Sequence, residues 1–240
     1  MAFHRTPPTL LRGEELERSL RAVGLRLGGG RQAPTWSSPE QVVVSAVAEA
    51  MPRDLRTLSV VTTWLGVHGG RVHVAELARY LEAGASASPD PERFAAYWSG
   101  VAHWQRSDIR WAKVARRFRG PRVYLSGLPA ALEEAQIARK GEDPRFVGSR
   151  LGVPLGMLRD RRSDVDDPTT LAGRHAWYRE RVRQGPSYRA DCWAELERMP
   201  DHSAASLARR VGCTYPVAHA AIADLSILLP LRDAPTSVNF

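Results

Sequence analysis

The sequence predicts a mainly α-helical protein: two winged-helix-like modules with short β-wings, joined by an irregular connector. Three observations predict this. Most segments between 38 and 225 place apolar residues three and four apart, the spacing of one helix face. Extended, β-branched pieces are few and short, such as "RVHV" (71–74) and "RVYL" (122–125). Near the C-terminus, "SAASLARRVGCTYPVAHAAIADL" (203–225) reads as a helix, a glycine turn and a second helix.

Taken in order, residues 1–37 are expected to be an arm and linker. The arm has Pro7 and Pro8, "GEELERSLRAVGLRL" can form a short helix, and "GGGRQAPTWSSP" (28–39) has linker composition. The first module is expected at 38–144. Ser38 can cap a helix with Pro39 at its first position. Residues 53–70 put Leu55, Leu58, Val61 and Leu65 on one face and are expected to stop at Gly69 and Gly70. "RVHV" is expected to be extended, and the helix of "AELARYLEAG" to end at Gly84. Residues 91–105 place Phe94, Trp98, Val101 and Ala102 on one face.

The most basic stretch follows, "SDIRWAKVARRFRGPRVYLSG". As a helix from Ser107 it turns Trp111, Val114, Ala115 and Phe118 inward, and Arg110, Lys113 and Arg117 outward. As a hairpin, "RGP" is the turn and "RVYL" the return strand. Periodicity leaves both open; a helix to about Phe118 and a strand at 122–125 is the preferred reading. "LPAALEEAQIARKGEDP" is a helix stopped at Gly141. Residues 145–167 have no clear period and are expected to be the connector.

The second module is expected at 168–240, with Asp167 capping a helix that starts at Pro168. "YRERVRQGPSYRAD" sets Tyr178, Arg181, Tyr188 and Arg189 around a Gly-Pro break. These can clamp a phosphate, but an internal ion-pair network, with Arg189 pairing Asp191 or an acid of "SDVDD" (163–167), is preferred because charges between helices are usually paired. Ser203 caps the next helix, Gly212 supplies a turn residue of positive φ, and Thr214 caps the last helix. Ala218, Ala221, Ile222 and Leu225 form its inward stripe. The tail "SILLPLRDAPTSVNF" is expected to form a two-stranded wing with Arg232 near its tip.

Composition bounds the function. Hydrophobic residues at 43% and charged residues at 25% fit a soluble globular protein. No apolar run reaches membrane-spanning length, and no signal-peptide run opens the chain, so no membrane partner and a cytoplasmic location are expected. Cys192 and Cys213 are too few for a disulfide framework and are expected to be buried thiols. A net charge of +8 suggests a polyanionic partner, here double-stranded DNA.

The candidate DNA contacts follow. Arg209, Arg210 and Arg232 suit phosphates. Thr214, Tyr215 and His219 face a groove, of which Tyr215 and His219 are equipped to read bases; none of the groove-facing positions is Arg, Asn or Gln. Arg110, Lys113 and Arg117 supply further charge, unless that run is only a solvated face.

No cofactor, metal or catalytic residue is expected. "GGG" (28–30) lacks the Lys-Ser/Thr of a phosphate loop. His68 and His73 lack a third ligand at metal spacing. Asp164, Asp166 and Asp167 can attract a cation, but capping better explains Asp167. A nucleic-acid-processing enzyme is the third reading, after a DNA-binding regulator and a protein-docking module.

Together, "WLGVHGGRVHVAELARYL", "RDRRSDV", "YRERVRQGPSYRADCWAEL" and "LARRVGCTYPVAHAAI" resemble, over roughly residues 53–225, the AbiEi-like antitoxins of type IV toxin–antitoxin systems. The resemblance implies a winged-helix autorepressor that also counters a cognate toxin. The order of modules differs: that family's clearest winged helix is N-terminal, whereas the clearest helix-turn-helix pattern here is C-terminal.

Overall fold

A computed structural model describes residues 8–27, 37–51 and 53–232, the last five by their backbone alone. The described chain is mainly helical. In order run α1 (Gly13–Ala22), α2 (Pro39–Ala50), α3 (Leu55–His68), α4 (Val74–Ala87), α5 (Pro91–Trp104), α6 (Ala112–Arg117), β1 (Val123–Tyr124), α7 (Ala130–Lys140) and β2 (Leu151–Gly152). Then come α8 (Pro168–Arg174), α9 (Ala176–Gln184), α10 (Tyr188–Arg198), α11 (Ala204–Val211) and α12 (Tyr215–Arg232). Two compact units divide the chain, one reaching to Leu171 and the other starting at Ala172.

Local signals place most helix starts. Ser38 accepts a hydrogen bond from the Gln41 N–H with Pro39 at the first position. Asp54 accepts from Arg56 and Thr57, Asp90 from Arg93, and Asp167 from Thr169 and Thr170. Each side chain takes up N–H groups that the first helical turn leaves without a partner.

The core of the first unit is built around α2 and α3. Val42, Val43, Val44 and Val47 are wholly enclosed, as are Leu58, Val60, Val61 and Leu65. Leu16 and Leu20 of α1, within the segment expected to be an arm, pack into this core. So do Phe146, Leu151, Val153, Leu158 and Val165, from the stretch expected to be a connector. That stretch is irregular because its backbone is pinned piecewise: Asp143 N–H bonds to Val153, Leu155 N–H to Gly141, and Asp166 N–H to Gly24. The expected linker residues 28–36 lie outside the described residues.

Three local expectations are corrected. "RVHV" is not a strand. Residues 69–71 form a 3-10 turn, Val74 already belongs to α4, and the His73 N–H bonds at 2.8 Å to the buried Glu40 carboxylate instead of a strand partner. The helix of 74–87 runs through Gly84, which serves close packing: a Cβ there would lie 2.4 Å from the Phe94 ring and 2.8 Å from Val44. Of the two readings of the basic stretch, the preferred one holds: a capped 3-10 turn at 109–111 leads into α6, which ends at Arg117, and a strand follows at 123–124; β1 pairs in parallel with β2 (Val123 opposite Leu151), so no hairpin forms there. Finally, α12 continues to Arg232, so "SILLPL" is helical up to that residue and not a wing strand. The second wing strand, "TSVNF", lies outside the described residues.

In the second unit, α10, α11 and α12 enclose a small core of Cys192, Leu196, Leu207, Ala208, Val211, Cys213, Ala218, Ala221 and Leu225. α9 packs against α10. The expected cap and turn are both present. Ser203 accepts from the Ser206 N–H, and Gly212 adopts φ 77°, ψ 22°, with its N–H on the Ala208 carbonyl. A left-handed residue ends α11 sharply, so α12 can cross back over Ala208.

Candidate nucleic-acid interface

The outward side of α11, the turn and α12 carries five of the candidate residues. Thr214, Tyr215 and His219 are exposed, as are Pro216, Ala220 and Ala223 beside them, while Ala218, Ala221 and Leu225 face the core. Tyr215 and His219 sit one turn apart with ring centroids 5.9 Å apart and planes at 31°.

The two arginines of α11 differ. Arg209 is exposed and makes no ion pair among the described residues. Arg210 lies 3.4 Å from the fully buried carboxylate of Glu195, which Arg198 and His202 also contact. Burial opposes charge on Glu195, but the hydrogen bond from Arg198, with Arg210 and His202 close by, outweighs it and holds the carboxyl below its usual range. Arg210 thus already ties α11 to α10. Arg232 closes α12 in a helical backbone rather than at a wing tip, and its side chain is not among those described.

The remaining candidates belong to the other unit. Arg110 is drawn inward, paired with Asp108 and hydrogen-bonded to the carbonyls of Val72 and Gly70. Asp108 is correspondingly acidic, chiefly through the Arg110 hydrogen bond. Arg117 pairs with Glu82 of α4. Lys113, Arg116 and Arg119 are exposed and make no ion pair among the described residues. The basic run is therefore split: Arg110 and Arg117 hold the fold, and Lys113, Arg116 and Arg119 remain open to an anion. As expected, Trp111 and Val114 are buried, with Ala115 and Phe118 half-buried beside them.

The residues around the Gly-Pro break form an internal network, but the expected partner of Arg189 is corrected: Asp191 is taken by Arg181, and Arg189 turns to α12 instead. Arg181 makes a two-pronged bond to Asp191, at 2.7 and 3.1 Å, with both side chains essentially enclosed. Arg189 reaches Asp224 on α12 at 3.0 Å. Cys192 and Cys213 are buried with their sulfurs 3.7 Å apart. The hydrogen bond between them and burial push the Cys192 thiol far up, so it stays protonated.

Among the described residues no three His, Cys, Asp or Glu side chains come together as metal donors would. His68 bonds the Asp166 carbonyl, Asp166 pairs with Arg26, and Asp167 is spent on its helix cap. Among the described residues no helix is long and apolar enough to cross a membrane.

Sequence reasoning missed one grouping. Arg150, from the loop before β2, comes to the same groove as Arg106 and Arg116. No local pattern links 150 to 106–116, because only the fold brings that loop beside α5 and α6.

Set against protein-family models, curated proteins and solved structures, the chain matches none of them.

Proposed function

We propose that the chain is a cytoplasmic, double-stranded-DNA-binding transcriptional regulator. α11 and α12 act as a helix-turn-helix, with α12 as the groove-facing helix. The observation that carries this reading is the left-handed Gly212 turn, which leaves Tyr215 and His219 outward, beside Arg209, which is exposed and makes no ion pair among the described residues. The excess positive charge supplies attraction to phosphates. Base readout is modest, because the outward side offers only Tyr215 and His219 as long polar side chains. The winged-helix form of the reading requires strands after α12 and rests on the sequence alone. The resemblance to AbiEi-like antitoxins extends the proposal to autorepression and to a cognate toxin as protein partner.

Exposed apolar side chains on α12, Tyr215 at 45% and Ile227 at 68%, favour one second reading: a protein-docking module without specific DNA reading. Fluorescence anisotropy separates the two. The full chain is titrated with a duplex from its own upstream region and with a scrambled duplex, at low and physiological salt. A regulator prefers its own sequence at physiological salt. Equal binding to both duplexes that salt abolishes overturns the proposal.

A further inference from the structure

The first unit carries a groove of about 400 Å³ between α5, α6 and the 148–150 loop. Its floor is small and apolar, made by Ala102 of α5 and by Ala112 and Ala115 of α6. On α6, Ala112, Ala115 and Arg116 lie three and four residues apart, so one helix face presents two methyls and a guanidinium together. Three arginines surround the floor, Arg106, Arg116 and Arg150, and the described lining residues include no carboxylate.

The arginines are positioned to different degrees. Arg150 is held: its Nε–H donates to the Pro121 carbonyl at 2.8 Å, its side chain is 11% exposed, and its one acidic neighbour, the exposed Glu92, stands 3.5 Å off. Arg106 donates to the His103 carbonyl at 3.2 Å and makes no ion pair among the described residues. Arg116 is exposed with no ion pair among the described residues. Beside them Ile109 stands 81% exposed, the most exposed of the large apolar side chains described. Arg106 and Arg116 make no ion pair among the described residues, Arg150 is paired only with the exposed Glu92, and planar guanidiniums match phosphate oxygens in pairs.

We infer that this groove binds a mononucleotide, its phosphate held by Arg106, Arg116 and Arg150 and its base laid on the alanine floor against Ile109. The volume lies within the range of roughly 300–1,000 Å³ typical of small-molecule pockets. A bare phosphate would leave the apolar floor and Ile109 uncovered. A bare nucleoside would leave Arg106 and Arg116 without an anion. The assignment does not depend on the DNA-binding proposal, since every residue it uses belongs to the first unit and none to α11 or α12.

The test is isothermal titration calorimetry on the full chain with the four ribonucleoside 5′-monophosphates, their nucleosides and inorganic phosphate. At least one monophosphate is expected to bind ten-fold or more tightly than both its nucleoside and phosphate. Arg116→Ala should weaken it at least ten-fold; Arg116 is exposed and makes no ion pair among the described residues, so the fold should be kept. Ala115→Leu, which fills the floor, should abolish binding, with thermal melting to confirm folding. Absence of binding by all four at millimolar concentration overturns the inference, as does affinity unchanged in Arg116→Ala. A short DNA duplex that displaces the nucleotide through Arg116 would assign the groove to nucleic-acid backbone, and would also overturn it.

Discussion

Arg181 and Asp191 show how much a single buried pair can decide. Removing one partner leaves an uncompensated charge in a closed space, which costs about 3–5 kcal/mol. Asp191→Ala should therefore lower the urea midpoint of the full chain sharply. Arg181→Met combined with Asp191→Leu should recover much of the loss, because both charges then leave together. Two buried histidines set the acid limit. Burial, with Arg162 nearby, pushes His68 down to about 4, and burial, with Arg181 and Arg174 nearby, does the same to His175. Their ordinary value is 6.5, so the unfolded chain binds the proton first. Stability is full above pH 6.5 and is lost as pH falls towards 4, by on the order of 3 kcal/mol per histidine. His175 also accepts the Tyr178 N–H at Nδ1 as a helix cap, which its protonated form cannot do. Thermal melts between pH 7.5 and 4.5 should show the decline, and His175→Asn, which keeps a capping acceptor, should flatten part of it. The cysteines give a simpler check. Neither thiol should react with a thiol reagent in the native chain, and both should react in denaturant.

At the scale of elements, the turn between α11 and α12 is the sensitive point. Gly212→Ala forces a Cβ into a left-handed conformation at a cost of about 1–2 kcal/mol, and should weaken DNA binding beyond its effect on stability by altering how α12 leaves the turn. Ser203→Ala removes a cap worth about 1 kcal/mol while leaving the outward face of α12 intact. Comparing the two by melting and anisotropy separates loss of structure from loss of docking geometry. Gly84→Ala is expected to destabilise α4 more than a surface change, because its methyl would overlap the Phe94 ring. Caps were legible at this scale because they are local: Ser38, Asp167 and Ser203 each act within three residues of themselves. Gly84 was read as a stop because, along the chain, a packing glycine and a terminating glycine look the same.

Across the whole molecule the charge is distributed by function of the fold, not by sequence proximity. Of the run 106–122, Arg110, Arg117 and Arg122 are taken up by Asp108, Glu82 and Glu142. Under the DNA-binding proposal, Arg209→Ala should reduce the slope of log affinity against log salt by about 0.9, the release of one phosphate's counterion. If Lys113→Ala combined with Arg116→Ala and Arg119→Ala leaves both slope and affinity unchanged, the open cations of α6 and its exit do not touch the duplex. Measuring the two variants side by side on the same DNA assigns the interface to one unit or to both.

The sequence by itself determined the helical class, several helix starts, the α11–turn–α12 arrangement and the apolar faces of α3, α5, α6 and α12. All of these depend on side chains a few residues apart, through capping, glycine conformation and the 3.6-residue period. Only the tertiary structure decided that 145–165 belongs to a core, that β1 pairs with β2 in parallel, that Glu40 holds His73 and Asp191 holds Arg181, and that Arg150 joins Arg106 and Arg116. Those are contacts between residues distant along the chain, where charge and shape complementarity are satisfied in three dimensions and leave no periodic trace in the sequence.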